Sequence, residues 1–171
     1  MIRRVTFLLG ALLLVLGVTV PAAAQGNMAM VRVIHASPDA PAVDVFVDGQ
    51  AVLTNVAFPA ISDYLEAPAG ARRVAVAPAG QGEAAAVITA NPTLEAGNAY
   101  TIAAVGQVAN IKGQVYNDNL AAPAAGKAHV RVIHASPDAP AVDVKVAGGP
   151  TLISALAFPS ASDYLPVDAA T

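Results

Sequence analysis

The sequence predicts an all-β sandwich, present as one complete unit followed by the first half of a second. Three observations carry this reading. Short β-branched runs such as "VRVIHA" and "VDVFV" alternate with a period of two, as half-buried strands do. Pro- and Gly-rich turns ("APAGA", "APAGQGE", "NPTLEAGN") separate them, and no stretch reads convincingly as a helix. The chain also repeats itself. Residues 30–65 match residues 129–165, and the fifteen residues "VRVIHASPDAPAVDV" at 31–45 recur letter for letter at 130–144. The offset is 99 residues at the start and 100 by the shared "AFP", so one residue is inserted in the loop between.

The elements follow in chain order. Residues 1–24 read as a secretory signal peptide: "MIRR" precedes the apolar run "VTFLLGALLLVLGVTV", and "PAAAQG" supplies a small-residue exit with cleavage after Ala24. The apolar run is shorter than the roughly 18–20 residues a membrane span needs, and Pro21 closes it. Contact with a membrane is therefore expected only before cleavage.

Residues 28–120 form the complete unit. "VRVIHA" and "VDVFV" open it, and Asp48-Gly49 between apolar residues is a strong hairpin signal. "SDYLEA", "RRVAVA", "AAVITA", "AYTIAAVG" and "IKGQVY" bring the count to seven or eight short strands. "LEAGNAY" has the form of a tyrosine corner, in which the Tyr100 hydroxyl bonds back to the chain near Leu94. Together these predict an immunoglobulin-like antiparallel sandwich. Residues 121–128, "AAPAAGKA", read as a linker. Residues 129–171 restart the pattern and stop after the second "SDYL", without counterparts of the last four strands. An isolated half sheet exposes an edge and an apolar face, so the expectation is a fragment of a longer tandem protein.

Composition narrows the function. Without cysteine there are no disulfides, no thiolate metal sites and no lipid-bearing cysteine, so the apolar core must hold an exported chain together. Hydrophobic residues make up 56% of the chain, enough for such a core. Removing Arg3 and Arg4 with the leader leaves 7 basic against 12 acidic residues. No positive stripe remains, which argues against nucleic acid as a partner.

The repeated stretch is first a structural motif. Alternation places Val31, Val33 and His35 on one face and Arg32 and Ile34 on the other. Pro38 and Pro41 stiffen the crossover "ASPDAPA", and the Asp39 carboxylate is placed to close a turn. His35, Ser37, Asp39 and Asp44, with His134, Ser136, Asp138 and Asp143 in the second copy, are read as its polar frame. His35 is expected to be half buried and to donate to a carbonyl or carboxylate in the crossover, Asp39 and Asp44 being nearest. Three functional readings compete. A triad of His35, Ser37 and Asp39 lacks an oxyanion loop and sits on a rigid turn. Calcium on Asp39, Asp44 and Asp48 has the right ligand type but an unfamiliar spacing, and Asp48 becomes Ala147 in the second copy. The exposed rim could instead recognise an extracellular protein, a small ligand or a glycan. Phe46 becomes Lys145 and Asp48 becomes Ala147, both outward, while inward Val45 and Val47 are matched by Val144 and Val146. That pattern favours structure. Phe58, Asp63 and Tyr64 recur as Phe158, Asp163 and Tyr164, read as a core plug, a turn acceptor and a packed ring. A glycan platform would need exposed rings, in a chain only 5% aromatic.

"VRVIHASPDAPAVDVFVDG", "SDYLEAPAG" and "LEAGNAYTIAAVG" closely resemble the bacterial domain-of-unknown-function family 4397, in full over residues 30–120 and in part over 130–171. The resemblance implies an exported, often tandem, β-sandwich module of the cell surface or medium. It supplies no reaction, cofactor or catalytic residue. The resulting expectation is a secreted, non-enzymatic structural or adhesive module of the envelope or extracellular matrix, without a cofactor, whose partner is an extracellular protein or glycan.

Overall fold

The computed structural model describes residues 26–169, so the expected signal peptide lies outside the described residues. Among the described residues every regular element is a strand, apart from single 3₁₀ turns at Glu83–Ala85 and Val108–Asn110. The first unit contains β1 (Met28–Ala36), β2 (Val43–Val47), β3 (Gln50–Val56), β4 (Leu65–Pro68), β5 (Gly70–Ala71), β6 (Val74–Pro78), β7 (Ile88–Ala90), β8 (Thr93–Leu94), β9 (Ala99–Val105) and β10 (Lys112–Asp118). They form two four-stranded sheets, ordered β10-β9-β1-β4 and β3-β2-β6-β7, with β5 and β8 as a short side ribbon.

The strands form where alternation allows one face to be buried. Along β1, Ala29, Val31, Val33 and His35 are buried and the residues between them only half buried. They meet Val43 and Val45 of β2, Val74 and Val76 of β6, and Tyr100 and Ile102 of β9 in one core. Tyr100 is the only aromatic residue among its buried members. These small side chains leave an apolar cavity of about 100 Å³ between the sheets, lined by Val31, Val45, Leu65, Val74, Leu94 and Ile102 among others. Asp48 (φ 48°) and Gly49 (φ 85°) turn β2 into β3, with Val47 opposite Gln50. Positive φ at both central residues matches the strand twist of a tight hairpin.

The structure departs from the expected pattern in two ways. Ten strands replace seven or eight, because β5 and β8 are two-residue pairings too short to read from sequence. The sandwich is also not wholly antiparallel, since β1 pairs with β9 in parallel from Met30↔Ala99 to Ala36↔Val105. A parallel pair needs a long connection, and here that connection is the entire second sheet with β4 and the side ribbon.

The second copy contributes β11 (Lys127–Val130), β12 (Val142–Lys145), β13 (Thr151–Leu156) and β14 (Leu165–Asp168). They form two ribbons, β11-β14 and β12-β13, which correspond to β1-β4 and β2-β3. β11 begins inside the stretch 121–128 that composition marks as linker.

Candidate functional site: the crossover and the joint between the copies

The crossover of the first copy is closed by its own polar groups. His35, expected to be half buried, is fully buried at 1% exposure, because the crossover folds back over its ring. Its Nδ1 accepts from the Ser37 amide at 3.4 Å, which leaves Nε2 to donate to the Pro41 carbonyl at 3.0 Å. The partner is thus a backbone carbonyl. Asp39 and Asp44, the nearest candidates from sequence, are engaged elsewhere, because the crossover folds back over the ring at Pro41. Phe58 stands edge-on to the imidazole, with ring centroids 6.3 Å apart. The buried Ser37 hydroxyl donates to the Gly106 carbonyl at 2.6 Å, and Asp39 accepts the Val108 amide at 2.8 Å. Asp44 accepts the Asn55 amide at 2.8 Å and the Gly80 amide at 2.9 Å, and these bonds hold its carboxyl below the usual carboxylate range.

Half of this frame survives in the second copy. His134 Nε2 lies 3.1 Å from the Pro140 carbonyl, Phe158 stands edge-on to its ring, and Asp143 accepts the Ala155 amide at 2.9 Å. The bonds that reach into the second half of a unit have no counterpart among the described residues. Ser136 turns to Asp138 at 2.9 Å, in place of a Gly106-like carbonyl. The His134 Nδ1 is buried without a partner.

The geometry does not assemble the calcium set. Asp39, Asp44 and Asp48 each serve a different loop: Asp48 accepts the Arg73 amide at 2.9 Å and pairs with Arg72 at 3.0 Å, which keep its carboxyl lowered. No group of three acidic, His or Cys side chains among the described residues is placed to hold a metal ion. Nor do His35, Ser37 and Asp39 form a triad, since the serine hydroxyl points to Gly106 and not to the ring. Tyr100 accepts the Glu95 amide on its hydroxyl at 2.9 Å, which ties the start of β9 to the turn before it.

Among the described residues a dense polar constellation lies where the copies meet, on residues outside most of the repeated motif's polar frame. The Asp118 side chain, at the end of β10, is 0% exposed. It accepts from Thr101 at 2.5 Å and from Tyr64 at 2.7 Å, and it pairs with Arg131. Arg32 stands 3.7 Å from the carboxylate, which also accepts from the Tyr164 hydroxyl at 3.4 Å. Arg32 lies over the Tyr64 ring and Arg131 over the Tyr164 ring, at 4.9 and 4.8 Å. Arg32 corresponds to Arg131 and Tyr64 to Tyr164, so equivalent outward pairs from both copies converge on one carboxylate. Also between the copies, Ile34 and Ala36 pack in one cluster with Ile133, Ala135, Phe158 and Ala161, closed by Val105 and Tyr116. The Tyr116 hydroxyl donates to the Pro159 carbonyl at 2.5 Å. The sequence did carry a signal: Arg32 and Tyr64 are kept in both copies on the outward side, where Phe46 and Asp48 drift.

Electrostatics follow from this packing. Burial alone would raise the Asp118 carboxyl, but the bonds from Thr101 and Tyr64 and the charges of Arg131 and Arg32 outweigh it, and it sits below the usual range. Tyr64 is pushed up to about 12, first by burial and then by its bond to Asp118. Tyr116 is raised by burial.

The fold and the paired crossovers define a repeat-built β-sandwich module. The model of the family described as "Domain of unknown function (DUF4397)" matches residues 29–145 and, again, residues 128–171. The chain belongs to this family. Among curated proteins none matches it.

Proposed function

We propose that this chain is a secreted, non-enzymatic structural module of the bacterial envelope or extracellular matrix, in which sandwich units stack through a built joint. The observation that carries the reading is the Asp118 clasp, where outward Arg and Tyr pairs from both copies close on one buried carboxylate. A surface used only for solubility does not bury an ion pair. The leader "MIRRVTFLLGALLLVLGVTVPAAA" supports export, and the partner class is an extracellular protein or glycan. The other reading, a calcium or small-ligand site at the crossover, finds its polar groups already bonded to the fold.

Two measurements test this. Expression with the leader in a bacterial host should give an exported chain whose mass begins at Gln25; an exported chain that retains Met1 contradicts it. Asp118→Ala leaves the nearly buried Arg131 without a counter-charge, which costs about 3–5 kcal/mol in urea unfolding of the mature chain. Parental stability in that variant would remove the joint from the argument.

A further inference from the structure

We infer that the apolar cavity between the two sheets of the first unit is a binding site, and that its occupant is the end of an unbranched alkyl chain that enters between β3 and β4. Every residue that lines it belongs to the first unit, so the site is independent of the joint between the copies.

The wall is built of aliphatic side chains. The cavity holds about 100 Å³ and is bounded by valines of β1, β2 and β6, by Leu65 and Ala67 of β4, and by Leu94 and Ile102. Glu66 is the one lining residue with a polar side chain. It stands between Leu65 and Ala67, and the pleat that turns Ala67 inward, to 8% exposure, turns the Glu66 carboxylate outward. Nothing inside can bond a polar group, and a buried water needs about two to four polar partners. Hydrocarbon is the chemistry that such a wall accepts. In an engineered apolar core, a cavity of about 150 Å³ takes up a benzene ring. The smaller space here suits a narrower group, a few methylenes and a methyl.

The mouth is an independent feature of the fold. β3 and β4 are the outer strands on one side of the sandwich, and β7 and β10 are the outer strands on the other. The β7–β10 side is shut: a Cβ added at Gly113 of β10 would stand 3.0 Å from the Ile88 side chain of β7. On the β3–β4 side, Val52 and Pro68 both line the cavity and are exposed, Val52 to 42%. A bulge makes this lip. Leu53 pairs with Val45 and Ala51 with Phe46, which leaves Val52 as the extra residue. Leu53 packs against the core and its neighbour Val52 also reaches the cavity, where strict alternation would send one of them away. An open lip decides the shape of the ligand. A chain can place its end inside and leave its remainder and its head group in water, which a closed void does not allow.

The test titrates the mature chain with straight-chain alcohols from ethanol to octanol and follows the methyl signals of Val31, Val74 and Ile102. The inference requires saturable shifts at these methyls. Affinity should rise about fourfold for each methylene that the cavity admits, then level off without falling for longer chains. Ala67→Leu, which fills the space from β4, should abolish the shifts. Ala67→Val, the residue that the second copy carries at Val167, guards against a filled variant that does not fold, and it should weaken binding at least about fourfold. Phosphatidylcholine vesicles identify the source of the chain: the same shifts with vesicles assign it to a bilayer lipid, and shifts with the alcohols alone assign it to a soluble amphiphile. The absence of saturable shifts with either probe overturns the inference. So does a loss of binding by chains longer than the cavity, which marks a closed void, and so does parental affinity in the Ala67 variants.

Discussion

At the residue scale, the fifteen repeated residues are explained by where their polar atoms go. His35 uses both ring nitrogens, one on Ser37 and one on Pro41, and is 1% exposed. His35→Ala removes the ring and leaves the Pro41 carbonyl unpaired, so urea unfolding should show a loss of about 1–3 kcal/mol, with lost packing in addition. Asp48 shows the opposite lesson. Ala147 stands at its place in the second copy, which by sequence alone suggests a replaceable residue. The structure holds it at φ 48° and bonds its carboxylate to the Arg73 amide and to Arg72. An alanine there would meet the left-handed strain and lose both bonds, so Asp48→Ala should lower the urea midpoint of the chain. A midpoint equal to the parent's would show that the hairpin does not depend on this anchor.

At the scale of elements, identical sequence takes different structure. "VRVIHA" is continuous strand when β9 lies beside it and is mostly irregular in the second copy, where no strand among the described residues takes the place of β9. Strand structure at this position is thus a property of the pair and not of the segment. The exit of β9 depends on Gly106, which has φ 96°, accepts the Ser37 hydroxyl, and would place an added Cβ 2.9 Å from the Asn110 carbonyl oxygen. Gly106→Ala combines backbone strain with a clash against main chain. It should lose about 1–3 kcal/mol or more by urea unfolding, and amide exchange near Ser37 should quicken.

At the scale of the whole molecule, the joint makes stability depend on pH in two windows. The folded Asp118 carboxyl lies below its ordinary value of 3.8, so its contribution is present above that value and is lost as the pH falls through the folded one. Tyr64 is raised from 10.0 to about 12, so its contribution is present below pH 10 and is lost as the pH climbs toward 12. Melting temperatures of the mature chain should be flat between these limits and fall on both sides. In Asp118→Asn the acid-side fall should become shallower; an unchanged acid limb would place the sensitivity elsewhere.

The sequence by itself determined the all-β class, the repeat, the Asp48-Gly49 hairpin, the turn at Tyr100 and the inward face of β1. Each rests on short-range regularities: a period of two, a turn dipeptide, a self-match. Only the tertiary structure decided that β1 and β9 run parallel, that His35 bonds Pro41 and not a carboxylate, and that Asp39, Asp44 and Asp48 diverge. It alone also brought Arg32, Tyr64, Arg131 and Tyr164 to Asp118. The physical reason is the same in each case. Which strand lies beside which, and which carboxylate two distant arginines share, is settled by the collapse of both sheets and the docking of one copy on the other. Those contacts span tens of residues and leave no local period in the chain.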